Sequence, residues 1–382
     1  MRKRKIDWYV LIPVLLMMCV GIIMVLSASS PTTVLGKDHD TYIFFRKQLI
    51  WLGFGLVAMF FTANYNYRKW RKFVIPAAVL TVVLLLAVFG FKAKNGAHSW
   101  IPIGDNQFQP SEFVKLCVIL IMSQMMSSKK ARMESFRDGL FPILIVVAVV
   151  CGLVVLEPDL GTATVIAITS FVMLFVGGAR YLHLSAMAGV GTGMAILAVY
   201  VAPYRMVRIL AFWDPAKDPG GSGWQINQSL YAIGSGGLLG VGLGHSMQKF
   251  RYIPEQHTDF IFSILAEELG FLGAGFIIVL LIFFAARGYR IAKNSRDTFG
   301  SLMACGITTM ILVEAMINIA VVTGSMPVTG ITLPFISYGG SSLIFKMSAI
   351  GVLLNISRYI SSEEILSVGN TGSPRKSGIF GT

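Results

Sequence analysis

Long apolar stretches, separated by short polar segments, follow one another along almost the whole chain of 382 residues. A helix needs about 20 mostly apolar residues to cross the hydrocarbon core of a bilayer, and each stretch is close to that length. The pattern therefore predicts an all-α integral membrane protein with ten transmembrane helices. We place them at about 9–27, 48–64, 73–91, 111–127, 139–157, 160–178, 185–203, 259–286, 299–323 and 340–358.

The connections between the predicted helices differ in length and in charge. Only the loop at about 204–258, between helices seven and eight, is long enough to form a site of its own. Lys and Arg number 20 on the side of the termini, the termini included, and 10 on the other side. Because basic residues are retained on the cytoplasmic side, we expect cytoplasmic termini and an extracellular long loop. The predicted domains are a polytopic membrane domain, 1–360, and a flexible cytoplasmic tail, 361–382.

Composition narrows the class of protein further. With 55% hydrophobic and 13% charged residues and a mean hydropathy of +0.70, the chain is unlike a soluble domain. A net charge of +13 would suit a protein that binds nucleic acid, but retention of basic residues in cytoplasmic loops explains it, so we expect no nucleic acid. The four cysteines fall within apolar stretches without CxxC spacing, which argues against a metal centre or a disulfide framework.

The main candidate for chemistry lies in Pro254–Gly270, where a polar, glycine-rich segment gives way to an apolar helix. Charged residues that enter a membrane helix are costly and commonly functional. If the helix starts near Thr258, Asp259 lies in its first turn at the membrane boundary, where it meets both water and a lipid-borne molecule. Glu267 and Glu268 then lie roughly 12–14 Å deeper. At about 100° per residue Glu267 is turned roughly 80° from Asp259 and Glu268 points almost opposite, so we expect Asp259 to act without a paired carboxylate.

Polar residues at other helix ends are further candidates. Glu112 and Lys115, at the start of a predicted helix, form either a structural ion pair or a pair that presents the lysine to an anionic substrate. At the junction of helices five and six, Asp159 is expected to cap a helix. Capping does not explain the nearby Glu157, which has no cation close to it in the sequence.

Basic residues stand near both ends of the long loop. Arg205 and Arg208 lie at its start, and Lys249 and Arg251 lie close to its end. Such groups at an outer membrane surface suit an anionic lipid such as a pyrophosphate. They equally suit ordinary lipid head groups, and the sequence leaves both alternatives open.

The last two predicted helices carry buried polar residues of their own. Glu314 and Asn318, one turn apart, predict a polar contact between helices. The connection Gly324–Ser342 is interrupted by prolines and glycines, which is typical of a broken element that lines a cavity. Lys346 follows it, and its side chain either extends to the membrane interface or lines that cavity.

Several separated motifs are distinctive: NGAHSWIPIG, QPSEFVK, EPDLGT, APYRMVRI, DPAKDPGGSGWQINQSLYAIG, QKFRYIPEQHTDFIFSILAEELG and MPVTGITLPFISYGGSS. Together they give the chain a resemblance to the SEDS family (FtsW, RodA and SpoVE), bacterial membrane enzymes of cell-wall synthesis. The resemblance extends from the first predicted helix to Arg358, and the long loop is more similar to the FtsW/SpoVE branch than to RodA. One departure is His98, where many relatives carry an arginine.

The resemblance implies a fold and a function. The implied fold has ten transmembrane helices with a large extracellular loop between the seventh and eighth, which agrees with the hydropathy pattern. The implied function is peptidoglycan glycosyltransfer, which polymerises lipid II at the outer face of the cytoplasmic membrane for division or sporulation. The implied partners are a cognate class B penicillin-binding protein and other division or sporulation membrane proteins. The family's essential aspartate corresponds to Asp259.

On this hypothesis Asp259 is the general base for a sugar hydroxyl of lipid II, which attacks the anomeric carbon of the growing glycan. Cations stabilise the departing pyrophosphate, and they are either basic side chains or a divalent metal such as Mg²⁺ or Mn²⁺. The basic candidates are, in order, Arg205, Arg208, Lys115 and Lys249. The acids expected to orient the substrate or support the site are Glu112, Glu157 and Glu267.

Two alternatives come from other classes of protein. Ten helices with buried charges also describe a transporter, here a lipid II flippase, and Glu314 and Lys346 favour that interpretation. Most charged candidates gather at the outer boundary, however, which favours chemistry at the surface. A scaffold that only recruits the penicillin-binding protein is the third interpretation, and it predicts that Asp259 is replaceable.

Overall fold

The computed structural model describes residues 6–34, 42–91, 99–104, 106–128, 133, 135–218, 220–250 and 256–360. The predicted tail, His98 and Arg251 lie outside these residues. The described chain is almost entirely helical, as its apolar pattern predicts. Its α-helices are α1 (Trp8–Val34), α2 (Ile43–Asn64), α3 (Val74–Ala87), α4 (Pro110–Ser128), α5 (Phe141–Leu156), α6 (Leu160–Val176), α7 (Tyr181–Val201), α8 (Pro203–Trp213), α9 (Ser222–Gly236), α10 (Ile261–Lys293), α11 (Thr298–Val322) and α12 (Gly340–Ser357).

Shorter elements join these helices. The segments Tyr67–Phe73, Val88–Gly90 and Pro215–Lys217 are 3₁₀ turns, and Phe136–Leu140 is a π-helical turn that leads into α5. A small antiparallel hairpin precedes α4 and pairs β1 (Ile101–Ile103) with β2 (Asn106–Phe108).

Nine helices in the described part of the chain are long and apolar enough to cross a membrane. Helix α6 has 17 residues and falls just below that length. The sequence places a loop at 204–258, and within it the structure has the helices α8 and α9. Helix α8 is amphipathic.

The centre of the bundle is formed by α4, α11 and α12, whose side chains are mostly buried. Helix α12 packs most extensively against α2, and α10 packs against α1, α9 and α11. Helix α7 is the opposite case, since nearly all of its apolar side chains are exposed. In a membrane protein such exposed apolar faces lie against lipid or a neighbouring helix.

Helix α10 departs from the predicted continuous helix in two ways. It begins at Ile261 rather than near Thr258, so Asp259 lies in the turn ahead of it. It is also broken at Gly270, which has a φ of 67° and a ψ of −169°. Residues of the α9–α10 connection fill the gap, because the Val241 and Gly242 amides donate to carbonyl oxygens at 267 and 268, at 3.0 and 3.1 Å. A residue with a side chain would be strained at this φ, so the break requires glycine.

Candidate functional site

Asp259 lies at one end of the bundle, which we call the Asp259 end. This end contains the turn 256–260, the connection 324–339, and the starts of α4 and α12. The turn does not continue as helix because three successive carbonyl oxygens, at 257, 258 and 259, accept hydrogen bonds from other elements. Their donors are the Tyr338 amide at 2.9 Å, the Ser337 hydroxyl at 2.7 Å and the Asn318 side-chain amide at 2.7 Å.

The Asp259 side chain is half-buried beside the connection 324–339. Gly330 of this connection lies close to the Asp259 side chain, since a Cβ added at Gly330 would lie 3.6 Å from the Asp259 Oδ2. Gly330 has a φ of 81°, which favours glycine. The ring of His257 packs against Phe44 and Tyr338, with centroids 4.7 and 5.6 Å away. The aspartate is therefore presented at the surface by a backbone that packing and hydrogen bonds hold from several sides.

A second group of charges lies deeper, between α4, α11 and α12. We call Glu112, Lys115, Glu314 and Lys346 the central network. The Lys115 Nζ lies 2.9 Å from a Glu112 oxygen and also contacts Glu314. The Lys346 Nζ lies 3.0 Å from the other Glu314 oxygen and donates to the Ser342 hydroxyl at 2.6 Å. The two carboxylates and two ammonium groups balance in charge, and all four side chains are buried.

The central network confirms the predicted pair of Glu112 and Lys115. Sequence reasoning missed that Glu314 joins this pair to Lys346. The signal was available in part, since both residues are charges inside apolar stretches, and such charges commonly pair with one another. Which pair forms depends on helix packing, and a single sequence does not reveal it.

A third polar cluster joins the α9–α10 connection to α10 and α1. Lys249 lies 3.1 Å from Glu268 and donates to the Gly244 carbonyl at 2.6 Å. Glu268 also accepts from the Ser27 hydroxyl of α1 at 2.6 Å. Glu267 accepts from the Met247 amide at 2.9 Å and from the Ser246 hydroxyl. Both glutamates thus bind the connection that fills the break in α10.

At the junction of α5 and α6, two acids have different surroundings. Asp159 caps α6, as predicted, because its carboxylate accepts from the Thr162 amide at 2.9 Å and hydroxyl at 2.8 Å. Both carboxylate oxygens of Glu157 are buried, and neither has a hydrogen-bond partner among the described residues. Burial raises the pKa of Glu157 to about 8, and the nearby charge of Asp159 adds to the shift. Burial also raises the pKa of Asp159, against the bonds from Thr162 that lower it.

The two arginines of α8 are placed differently. Arg205 is buried and donates to the carbonyl oxygens of Val155 at 3.0 Å and Ala198 at 2.9 Å, so it binds the last turns of α5 and α7. Arg208 is half-buried and donates to the Val328 carbonyl at 3.3 Å. Through this bond it lies against the connection 324–339, which also borders Asp259.

An apolar cavity of about 350 Å³ lies between α3, α4 and α12. Phe113 and Phe345 line it, and they directly follow and precede Glu112 and Lys346 in the chain. The lining continues along α3 to Trp70 and Phe73 at the end of the bundle away from Asp259. A cavity of this character accommodates hydrocarbon rather than a polar ligand.

The residues that the structure describes include no group of three or more His, Cys, Asp or Glu side chains able to hold a metal ion. The predicted role of a divalent cation stays a prediction, as do the predicted roles of the site residues. Mg²⁺ is commonly bound by one or two carboxylates together with phosphate oxygens of the substrate and water. A half-buried carboxylate at the end of the bundle, such as Asp259, fits that arrangement.

Residues 7–362 match the family model of FtsW, RodA and SpoVE, which is described as cell cycle protein. The chain is 46% identical to Stage V sporulation protein E of Bacillus subtilis (strain 168), over 94% of this chain and 98% of that protein. It is 40% identical to the probable peptidoglycan glycosyltransferase FtsW of Trichlorobacter lovleyi, over 93% of this chain and 94% of the relative.

Two solved structures are similar over nearly the whole fold. A chain of the structure described as "Structural coordination of polymerization and crosslinking by a peptidoglycan synthase complex" matches with a TM-score of 0.77 and 29% identity, over 92% of this chain and 98% of that chain. The rod shape determining protein RodA of Thermus thermophilus matches with a TM-score of 0.69 and 28% identity, over 93% of this chain and 98% of RodA.

Proposed function

This chain belongs to the FtsW/RodA/SpoVE family, and from that premise we propose that it is a peptidoglycan glycosyltransferase. It polymerises lipid II into glycan strands at the outer face of the bacterial cytoplasmic membrane, in cell division or sporulation. The observation that carries the proposal is the turn at Asp259, where one half-buried carboxylate stands on a backbone fixed by other elements. Higher identity to the SpoVE and FtsW relatives than to the solved RodA favours the division or sporulation branch.

The proposed topology has ten transmembrane helices, with the long loop between the seventh and eighth outside and both termini inside. Helix α6 is sixth along the chain and brings the number of spans in this scheme to ten, since its 17 residues extend over roughly 26 Å at 1.5 Å per residue. Basic residues at the end opposite Asp259, among them Arg68, Arg71 and Arg358, support the orientation. Asp259 then faces the side on which the cell wall is built.

In the proposed reaction Asp259 accepts the proton of a lipid II sugar hydroxyl as its oxygen attacks the anomeric carbon of the growing glycan. The new glycosidic bond forms as the bond from that carbon to the polyprenyl pyrophosphate breaks, and the pyrophosphate leaves with the bonding electrons. A general base of this kind contributes about 10²- to 10⁴-fold in rate. Access to water lets Asp259 release the proton before the next cycle.

The pyrophosphate needs positive charge close to the Asp259 end. Arg208 is the best placed of the four proposed side chains, because it is half-exposed and contacts the connection that borders Asp259. Lys115 and Lys249 already neutralise buried carboxylates, and Arg205 binds helix carbonyls. A divalent cation would be held mainly by the pyrophosphate and Asp259, and would neutralise charge on the leaving group. The cavity lined by Phe113 and Phe345 suits part of the polyprenyl chain.

Transport and scaffolding are weaker proposals. A flippase needs polar groups free to meet a head group along a path through the bilayer. Glu314 and Lys346, the residues that favoured transport, neutralise each other and their neighbours within a packed centre. A scaffold needs no fixed carboxylate at the Asp259 turn. For polymerisation and for scaffolding alike, the proposed partner is a class B penicillin-binding protein. A chain similar to this one was solved within a peptidoglycan synthase complex, which supports such a partner.

The test is polymerisation of labelled lipid II by the purified protein with its cognate penicillin-binding protein, whose transpeptidase is blocked. Asp259→Asn removes the charge with little change of shape, and we expect glycan synthesis to fall by at least about 10²-fold. Asp214→Asn is the matched control, because Asp214 is an exposed acid of the same long loop that pairs with Lys217. We expect this control to keep wild-type synthesis.

The outcomes separate polymerisation from transport. Loss of glycan with Asp259→Asn, while folding and partner binding persist, supports the glycosyltransferase. Equal synthesis by both variants would show that Asp259 is not the base. If the wild type also makes no glycan but moves lipid II across a vesicle bilayer, transport replaces polymerisation as the function.

A further inference from the structure

Asn318 occupies a position on α11 from which it contacts two other elements at once. Its side-chain amide donates one hydrogen bond to the Asp259 carbonyl at 2.7 Å and another to the Ile331 carbonyl at 2.7 Å. The side chain is buried, with 1% of its surface exposed. We infer that Asn318 is a positioning residue, which sets the place of the Asp259 carboxylate by holding the peptide carbonyl of the same residue. This inference rests on the proposed function of Asp259.

The chemistry of asparagine fits this role. A side-chain amide carries two N–H groups on one nitrogen, and here each is directed to a carbonyl oxygen of a different segment. The side-chain oxygen of Asn318 has no partner in the described structure, so the contact depends on the donor half alone. Aspartate would direct a charged acceptor at two carbonyl oxygens, and leucine of similar volume would leave both oxygens without a donor in a buried place.

The consequence for Asp259 follows from the geometry of the turn. A carboxylate is separated from its own peptide carbonyl by a few bonds, so fixing the carbonyl leaves mainly side-chain rotation free. The neighbouring carbonyls, at 257 and 258, are fixed by Tyr338 and Ser337 of the connection 324–339. Asn318 is the one donor of this set that stands on a transmembrane helix, so it ties the turn to the rigid centre of the bundle.

The expected effect is on the chemical step. A displacement of about 1 Å in a reacting group commonly costs on the order of 10²-fold in rate. Without Asn318 the turn keeps its other two bonds, so the protein folds and the substrate still binds, while Asp259 samples more positions. We therefore expect a fall in kcat with little change in KM for lipid II.

Asn355 provides a matched control in the same protein. It is a buried asparagine of α12 at the end away from Asp259. Its side chain also makes two hydrogen bonds, donating to the Ala63 carbonyl at 2.8 Å and accepting from the Tyr67 amide at 2.9 Å. Asn355→Leu therefore removes as many buried hydrogen bonds as Asn318→Leu, but at a distance from the proposed site.

The experiment compares wild type, Asn318→Leu, Asn355→Leu and Asp259→Asn in the lipid II polymerisation assay with the cognate penicillin-binding protein, together with Tm. We expect Asn318→Leu to lower kcat on the order of 10²-fold with KM within about twofold. We expect Asn355→Leu to lower Tm by a similar amount while kcat stays within about threefold of wild type. Asn318→Ser, which keeps one donor on a shorter side chain, should fall between Asn318→Leu and wild type.

Equal effects of Asn318→Leu and Asn355→Leu on kcat would overturn the inference, as would a rise in KM alone. If Asn318→Leu does not fold, Asn318→Ser decides: a selective loss of kcat supports positioning, and wild-type kcat refutes it. The Asp259→Asn variant distinguishes a failure of the inference about Asn318 from a failure of the proposed function. If Asp259→Asn is inactive and Asn318→Ser is fully active, the proposal that Asp259 is the base stands, and only the inferred role of Asn318 is refuted.

Discussion

The Asp259 turn and the central network handle charge in opposite ways. At the turn, one carboxylate is half-buried at the end of the bundle, and the atoms around it hold its backbone. In the central network, two carboxylates and two ammonium groups are buried together and each finds an opposite charge. The first arrangement leaves a carboxylate partly exposed on a backbone that is held in place. In the second arrangement, the four charges neutralise one another inside the fold.

This difference limits what buried charge alone indicates. Ionisable residues inside a membrane protein are commonly functional, and by that rule Glu314 would rank above Asp259, since it lies deeper. The contacts reverse the ranking, because Glu314 neutralises two lysines whereas the Asp259 side chain is half-buried at the end of the bundle. Accessibility and fixation of the backbone are therefore better guides to chemistry here than depth.

The largest expected effect comes from breaking the central network with Glu314→Gln. This change leaves Lys115 and Lys346 to share the single carboxylate of Glu112. Removing one partner of a buried ion pair costs about 3–5 kcal/mol, because the remaining charge stays buried without compensation. We expect a large fall in Tm of the purified protein and a low yield of folded protein.

A double variant tests whether charge balance is the cause. Glu314→Gln with Lys346→Met removes one charge of each sign and leaves Glu112 paired with Lys115. We expect most of the lost Tm to return, since replacing a whole buried pair is often close to neutral. If the double variant is as unstable as Glu314→Gln, the network does not stabilise the fold through charge balance.

Much of the fold follows from the sequence, because hydropathy reports where helices meet lipid. The predicted spans correspond to described helices. The break in α10 at Gly270 was not predicted. Its apolar pattern continues through the break, and only the inserted residues near Gly240 give the backbone other hydrogen-bond partners. A contact between distant segments of this kind leaves no local pattern.

The sequence predicted which side chains belong to the candidate site, but not the backbone that holds them. Asp259 is recognisable as an acid at the start of an apolar stretch, and the position of Asp159 before α6 predicts that it caps this helix. The start of α10 was wrong by a few residues, because hydropathy does not reveal that Asn318 and Ser337 take up the carbonyl oxygens that a helix would use. Asn318 itself was expected only to make a polar contact between helices.

A smaller effect is expected at Glu157, a carboxylate near the Asp259 end that has neither exposure nor a partner. Its pKa rises from 4.5 unfolded to about 8 in the folded protein. The folded state therefore binds the proton more tightly, so stability is complete below about pH 4.5 and falls as pH rises toward 8. The change amounts to roughly 3–4 kcal/mol between pH 5 and pH 8. Tm measured across this range should fall more for wild type than for Glu157→Gln.

Glu157→Gln keeps a neutral side chain at every pH, so it isolates this one titration. Parallel pH profiles of Tm for the two proteins would show that Glu157 is ionised in both states or meets water in the folded one. A steeper wild-type profile would establish Glu157 as a neutral acid near pH 7, in contrast to the role proposed for Asp259.

The smallest expected effect separates a structural acid from a chemical one at Asp159. Its carboxylate caps α6 through Thr162, and loss of an N-cap costs about 1 kcal/mol. Asparagine caps a helix about as well as aspartate. We therefore expect Asp159→Ala to lower Tm slightly and Asp159→Asn to leave both Tm and glycan synthesis near wild type. Asp259→Asn makes the same chemical change and should abolish synthesis. If Asp159→Asn also abolished it with Tm unchanged, the charge of Asp159 would belong with Asp259 in the reaction, and capping would explain only its position.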